Sequence, residues 1–142
     1  DGSLFIVGER GAAFRSTDSG ESWQRLSLPY DGSMFGVIGY DGRHVLAFGL
    51  RGNVFESFDL GDHWNKVASG AELSLMGGTG WENGGAALVG ANGVVLTRTQ
   101  GTGNLLRHAH PDAGVLSSVL SIAPDGELVL AGENGVATWT PN

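Results

Sequence analysis

Apolar residues come in short runs that close on glycine: Leu4 to Val7 before Gly8, Val45 to Phe48 before Gly49, and Leu128 to Leu130 shortly before Gly132. Runs of that length bounded by Gly, Asp and Asn predict strands, and with no sustained helical periodicity no helix of useful length is expected. The closing glycines Gly8, Gly49, Gly90 and Gly132 lie 41, 41 and 42 residues apart, and each is followed three residues later by another, Gly11, Gly52, Gly93 and Gly135. A period of about 40 with several short strands per unit is what the blades of a β-propeller require. Each blade is a small antiparallel sheet that buries its faces only against its neighbours.

The clearest unit reads as a strand over Ser33 to Gly39, a turn at Tyr40-Asp41-Gly42-Arg43 and a second strand over His44 to Gly49. After Leu50-Arg51-Gly52 come a third strand from Asn53 to Phe58, a turn at Asp59 to Asp62 and a fourth strand from His63 to Val67. Hairpin turns need positive φ, cheapest at Gly and tolerable at Asn or Asp, which explains the Asp-Gly and Asn-Gly pairs. Carried along the chain, this register predicts an all-β partial propeller of four-stranded antiparallel blades. It gives an incomplete blade over 1–28, blades over 29–69 and 70–111, and an incomplete blade over 112–142. About 3.5 blades are then present, the C-terminal half of a ring of about seven. Asp1-Gly2 stands before Leu4 as Asp41-Gly42 stands before Val45 and Asp125-Gly126 before Leu128, so the chain is expected to begin inside a blade. Asn142 is then expected near the natural C-terminus, with the missing blades before Asp1. The first unit lacks an inner strand and the last an outer one. Such edges invite pairing, so the missing N-terminal half or a second copy is expected to complete the ring.

Charge and composition narrow the partners. A formal net charge of −7 argues against nucleic acid and anionic membrane, both of which need a dense cationic surface. Basic partner surfaces remain compatible with it. No apolar run is long enough to insert in a membrane. With 25 glycines, one lysine among eight basic residues and no cysteine, the chain fits a turn-dense all-β fold without disulfides or thiolate metal sites.

Two segments in successive units share the pattern S-x-D-x-G-x-x-W: Ser16, Asp18, Gly20 and Trp23, then Ser57, Asp59, Gly61 and Trp64. An Asp in such a turn accepts backbone N–H groups, Gly supplies the left-handed residue, and Trp covers the hairpin. The structural role accounts for every residue of the pattern, and calcium needs more oxygen ligands than it supplies. The third unit carries Thr97 to Asn104, read as a decayed copy with Thr97 as the hydroxyl, Thr99 in place of Asp and Asn104 in place of Trp.

With its G-x-x-G turns, Val7-Gly8-Glu9-Arg10-Gly11 to Trp23 and Phe48-Gly49-Leu50-Arg51-Gly52 to Trp64, nearly the whole chain resembles the photosystem II stability/assembly factor family. Members of that family are Asp-box propellers, with non-photosynthetic bacterial relatives. Arg15-Ser16 fits the family's strand before the Asp-box, whereas Glu56-Ser57 departs from it by reversing the charge. The resemblance implies a noncatalytic, extracytoplasmic scaffold without cofactor that binds protein, such as an assembly or accessory factor for a membrane complex or transporter. The alternative is a sialidase-like or other glycoside hydrolase or carbohydrate-binding propeller, since Asp-boxes occur there too. That chemistry needs paired acids or an arginine cluster converging on one face.

Binding residues concentrate on loops held by a rigid scaffold. The candidates are Glu9, Arg10, Arg51, Asn92, Glu133 and Asn134 on the turns between second and third strands. Tyr30, Asp31, His108, His110 and Asp112 lie on the connections between blades. Arg10 and Arg51 hold equivalent positions in adjacent blades. His108-Ala109-His110-Pro111-Asp112 is the cluster nearest to a metal site, but it offers two histidines and no evident third ligand, and no metal or catalytic residue is assigned. His44 and His63 read as structural. Trp81, in the turn Gly80 to Gly84, reads as packing against an adjacent blade, with a protein or sugar contact as its alternative.

Overall fold

The computed structural model describes residues 2–101, 103–111, 114–122 and 126–141. Asp1, Thr102, Asp112, Asp125 and Asn142 lie outside them. Among the described residues, four antiparallel sheets follow one another along the chain. The first is three-stranded: β1 (Leu4–Val7), β2 (Ala12–Ser16) and β3 (Gln24–Ser27). The second contains β4 (Met34–Gly39), β5 (Val45–Gly49), β6 (Val54–Ser57) and β7 (Asn65–Lys66). The third contains β8 (Leu75–Trp81), β9 (Gly85–Gly90), β10 (Val94–Arg98) and β11 (Leu106–Ala109). The fourth is three-stranded again: β12 (Leu116–Ser121), β13 (Leu128–Gly132) and β14 (Gly135–Trp139).

Each sheet is a simple meander, its strands hydrogen-bonded in chain order. The innermost strands β4, β8 and β12 lie side by side, and β1 packs against β4. The helical segments described are turns of three residues, in keeping with the expected all-β class. The fourth strand of the second sheet is shorter than expected. Asn65 and Lys66 pair with β6, opposite Glu56 and Phe55, and Val67 N–H still donates to the Val54 carbonyl at 2.9 Å, while His63 and Trp64 are taken up by the preceding turn.

Side chains alternate across each sheet, and both faces are apolar because both are covered. Leu46 and Phe48 of β5 meet Leu88 of β9 in one cluster, while Ala47 turns the other way to join Met34 and Phe55 beside Val7 and Leu28. Ala87 and Val89 of β9 face the fourth sheet and join Leu128 and Leu130. Each buried leucine adds about 1.5–3 kcal/mol. Where the inner strands converge, room runs out: a Cβ on Gly36 would lie 2.3 Å from the Phe48 ring, and one on Gly78 2.6 Å from Leu88. The terminal sheets have one face uncovered. Leu4 and Ile6, at the positions of Val45 and Ala47, are 45 and 50 % exposed, and Val136 at the other end is 74 % exposed.

The repeated glycine pairs have a steric cause. A Cβ at Gly49, Gly90 or Gly132 would lie 2.5, 1.9 or 2.1 Å from the carbonyl of Ser33, Ser74 or Val115, where the innermost strand of the same sheet crosses. The second glycine of each pair has φ near +70° at Gly11, Gly52 and Gly93, and the connection from the next blade runs close over it. Gly11 N–H donates to the Gly32 carbonyl, and the Gly52 and Gly93 carbonyls accept from Ser69 Oγ and His110 N–H. Each turn is thereby tied to the neighbouring sheet.

Candidate functional site

Arg10, Arg51 and Asn92 are the central residues of the turns Glu9–Gly11, Leu50–Gly52 and Ala91–Gly93, with φ of 55°, 58° and 56°. The meander topology puts these turns and the Glu133-Asn134 turn at the same end of their sheets, and all six candidate side chains are exposed. They are not equivalent. Glu133 Oε1 accepts the Val115 N–H at 2.9 Å and so braces its own sheet. Arg10 and Arg51 have neither hydrogen bond nor ion pair among the described residues. Asn suits the left-handed region, whereas Arg there costs about 1 kcal/mol.

On the connections between blades, Tyr30 packs on Phe55 with ring centroids 6.2 Å apart, and its carbonyl passes over Gly11. Asp31 is exposed beside it. His108 lies within β11, opposite Val95, rather than on a connection, and shares a 2.8 Å hydrogen bond with Thr97 Oγ1. His108 and His110 both stand edge-on to Trp139, at 6.1 and 5.3 Å. The two histidines thus lie against a tryptophan of the last strand, and Asp112 lies outside the described residues. Trp81 closes β8 rather than sitting in the turn. It packs against the cluster between the third and fourth sheets and donates its indole N–H to the Thr99 carbonyl at 3.0 Å.

The two S-x-D-x-G-x-x-W turns have one hydrogen-bond scheme. Asp18 Oδ1 accepts the Ser22 N–H at 2.9 Å and Asp59 Oδ1 the His63 N–H at 2.8 Å, while Ser16 and Ser57 hydroxyls each accept the N–H of Gly20 or Gly61 at 2.8 Å. The indoles of Trp23 and Trp64 donate to the carbonyls of those same glycines. The bonds from Ser22 hold the Asp18 carboxyl down at about 2, and the bonds from His63 do the same for Asp59. In return the Asp59 carboxylate raises His63, whose Nδ1 lies 2.5 Å from Asp59 Oδ2.

The third unit corrects the expected alignment. Arg98 pairs with Ala86 as Ser57 pairs with Val45, so Arg98, not Thr97, stands at the serine position. Its side chain turns into the gap between the second and third sheets, where both guanidinium ends engage the Glu56 carboxylate and Nε donates to the Gly84 carbonyl at 2.7 Å. Both side chains of this ion pair are 4 % exposed. Glu56 Oε2 also meets His44 Nε2 at 2.7 Å, and the His44 ring is stacked between Tyr40 and Phe58. One blade earlier, Arg15, at the position of Glu56, reaches across to the Leu60 carbonyl at 2.6 Å and to Asp62 at 2.7 Å. The charge reversal at Glu56 is therefore matched by a cation in the next sheet.

No protein-family model matches the chain, and no curated protein matches it either. Solved structures do. YCF48 bound to a D1 peptide shares 21 % identity at a TM-score of 0.72 over 99 % of this chain, and YCF48 from Cyanidioschyzon merolae shares 18 % at 0.71 over 99 %. An ancestral GH74 enzyme is similar over 99 % of the chain at 14 % identity and a TM-score of 0.79. The chain spans 46 and 49 % of the two YCF48 chains and 21 % of the GH74 enzyme. At these identities the likeness defines the fold, a β-propeller of which this chain forms part.

Proposed function

We propose that the chain is part of a noncatalytic, extracytoplasmic scaffold that binds protein, an assembly or accessory factor for a membrane or envelope complex. Its partner meets the turn face that carries Arg10 and Arg51. One observation carries this reading: two exposed arginines without partners among the described residues sit at equivalent positions on turns clamped to the neighbouring sheets. The third sheet fills the same left-handed position with Asn92, which tolerates it, so the strain of an arginine there is a cost the fold does not need. A guanidinium offers planar forked donors, so the partner surface presents carboxylates. The similar YCF48 structure holds a peptide, which supports a polypeptide as the class of ligand. The ring that presents this face is completed by chain preceding Asp1 or by a second copy.

The test replaces Arg10 and Arg51 together by glutamate in the intact protein and compares affinity capture from an envelope extract. Partners held by the native protein are lost from the variant while its melting temperature is unchanged. Hydrolysis of an aryl glycoside that disappears with the same pair would establish a glycosidase and overturn the scaffold reading.

A further inference from the structure

At the end of the sheets opposite Arg10 and Arg51, the β4–β5 and β8–β9 connections flank an open cavity of about 720 Å³. Tyr40, His44 and Trp81 wall it, and Asp41, Glu82 and Asn83 stand exposed at its rim. That volume falls in the range that accepts a ligand or a peptide segment.

The polar groups of the wall are already committed. Tyr40 donates its hydroxyl to the Gly85 carbonyl at 3.0 Å, Trp81 its indole N–H to Thr99, and His44 faces Glu56. One face of the Tyr40 ring is taken by the stacked His44, and Gly80 packs close to its hydroxyl end, where a Cβ would lie 3.0 Å from the ring. Sugar recognition relies on open ring faces and free polar tips, so the wall suits a saccharide poorly. The carboxylates are different. Neither the Asp41 nor the Glu82 carboxylate has a hydrogen bond or an ion pair among the described residues. The nearby cations do not answer them: Arg98 is held by Glu56, Gly84 and Gly103, and Arg43 reaches out to the Asp59 carbonyl.

We propose that this cavity receives an arginine side chain from a basic segment of a partner polypeptide. The aliphatic stem lies along the edge of Tyr40, and the guanidinium bridges Asp41 and Glu82, one carboxylate from each connection. Arginine fits better than lysine because its fork addresses two carboxylates on separate loops at once. The inference rests on the reading of the chain as a protein-binding scaffold but uses the other end of the sheets.

Fluorescence titration of the intact protein with a tetra-arginine peptide at physiological salt tests it, with tetra-lysine as comparator. The native protein binds tetra-arginine more tightly than tetra-lysine, and Asp41→Asn with Glu82→Gln weakens the arginine peptide about tenfold or more, the loss of a charge-assisted pair. Glu21→Gln with Glu72→Gln removes the same charge elsewhere and leaves the affinity unchanged, and none of these variants alters Arg10 or Arg51. Failure of the turn-face reading would therefore leave this result standing. No binding of tetra-arginine, an equal loss with Glu21 and Glu72, or saturation of the Trp81 signal by a neutral oligosaccharide would each overturn it.

Discussion

Glu56 and Arg98 show how one residue can decide whether two sheets hold together. An ion pair this deep contributes little over a well-packed apolar pair, but leaving one charge alone in the gap is costly. Glu56→Ala is expected to destabilise the protein by about 3–5 kcal/mol in urea denaturation, and replacing both Glu56 and Arg98 by methionine to recover most of that loss. The sequence hides this pair for a simple reason. Aligning the third unit on Gly101 slips it by one position, and in a strand a one-residue slip sends every side chain to the opposite face. The reversal at Glu56 was the available clue, since a buried acid calls for a cation one blade away. A second residue-scale expectation concerns His63. Its folded pKa is raised by Asp59, so the stability it adds is complete below the ordinary value of 6.5 and is lost as pH rises through the raised one. NMR titration should find His63 above 6.5 in the native protein and near its ordinary value after Asp59→Asn. Asp18, bonded to neutral Ser22, has no counterpart of this loss at neutral pH.

The elements were the most legible part of the chain, and the reason lies in their ends. Apolar runs such as Val45 to Phe48 are stopped by glycines that the crossing strands require, so the strand limits are written as steric necessities. The short outermost strand was less legible because its length is set by how many residues the S-x-D turn claims, and Trp64 is claimed through its bond to Gly61. The six candidate turn residues were found by position alone. Sequence could not separate braced Glu133 from unpartnered Arg10, because that depends on which backbone N–H lies nearby. At this scale Asp18→Ala and Asp59→Ala are expected to lower the melting temperature, since each removes the acceptor that closes its turn, without changing capture of partners by the Arg10 and Arg51 face. Calorimetry beside the capture assay checks both halves.

For the molecule as a whole, the four sheets bury their shared faces well and leave the outer faces of the first and last open to solvent, with Leu4, Ile6, Leu120 and Val136 exposed. The turn face and the cavity lie at opposite ends of the same sheets, so a partner at one leaves the other accessible. Gly8 carries a consequence of that arrangement. Its equivalents Gly49, Gly90 and Gly132 are each pressed by an innermost strand, but a Cβ on Gly8 would meet nothing within 4 Å and its φ is −164°. Gly90→Ala should therefore be severely destabilising in any context, whereas Gly8→Ala should be tolerated by this chain and become costly once an innermost strand is laid across the first sheet. Thermal melts of the two variants, in this chain and in the completed assembly, turn a single methyl group into a gauge of ring closure.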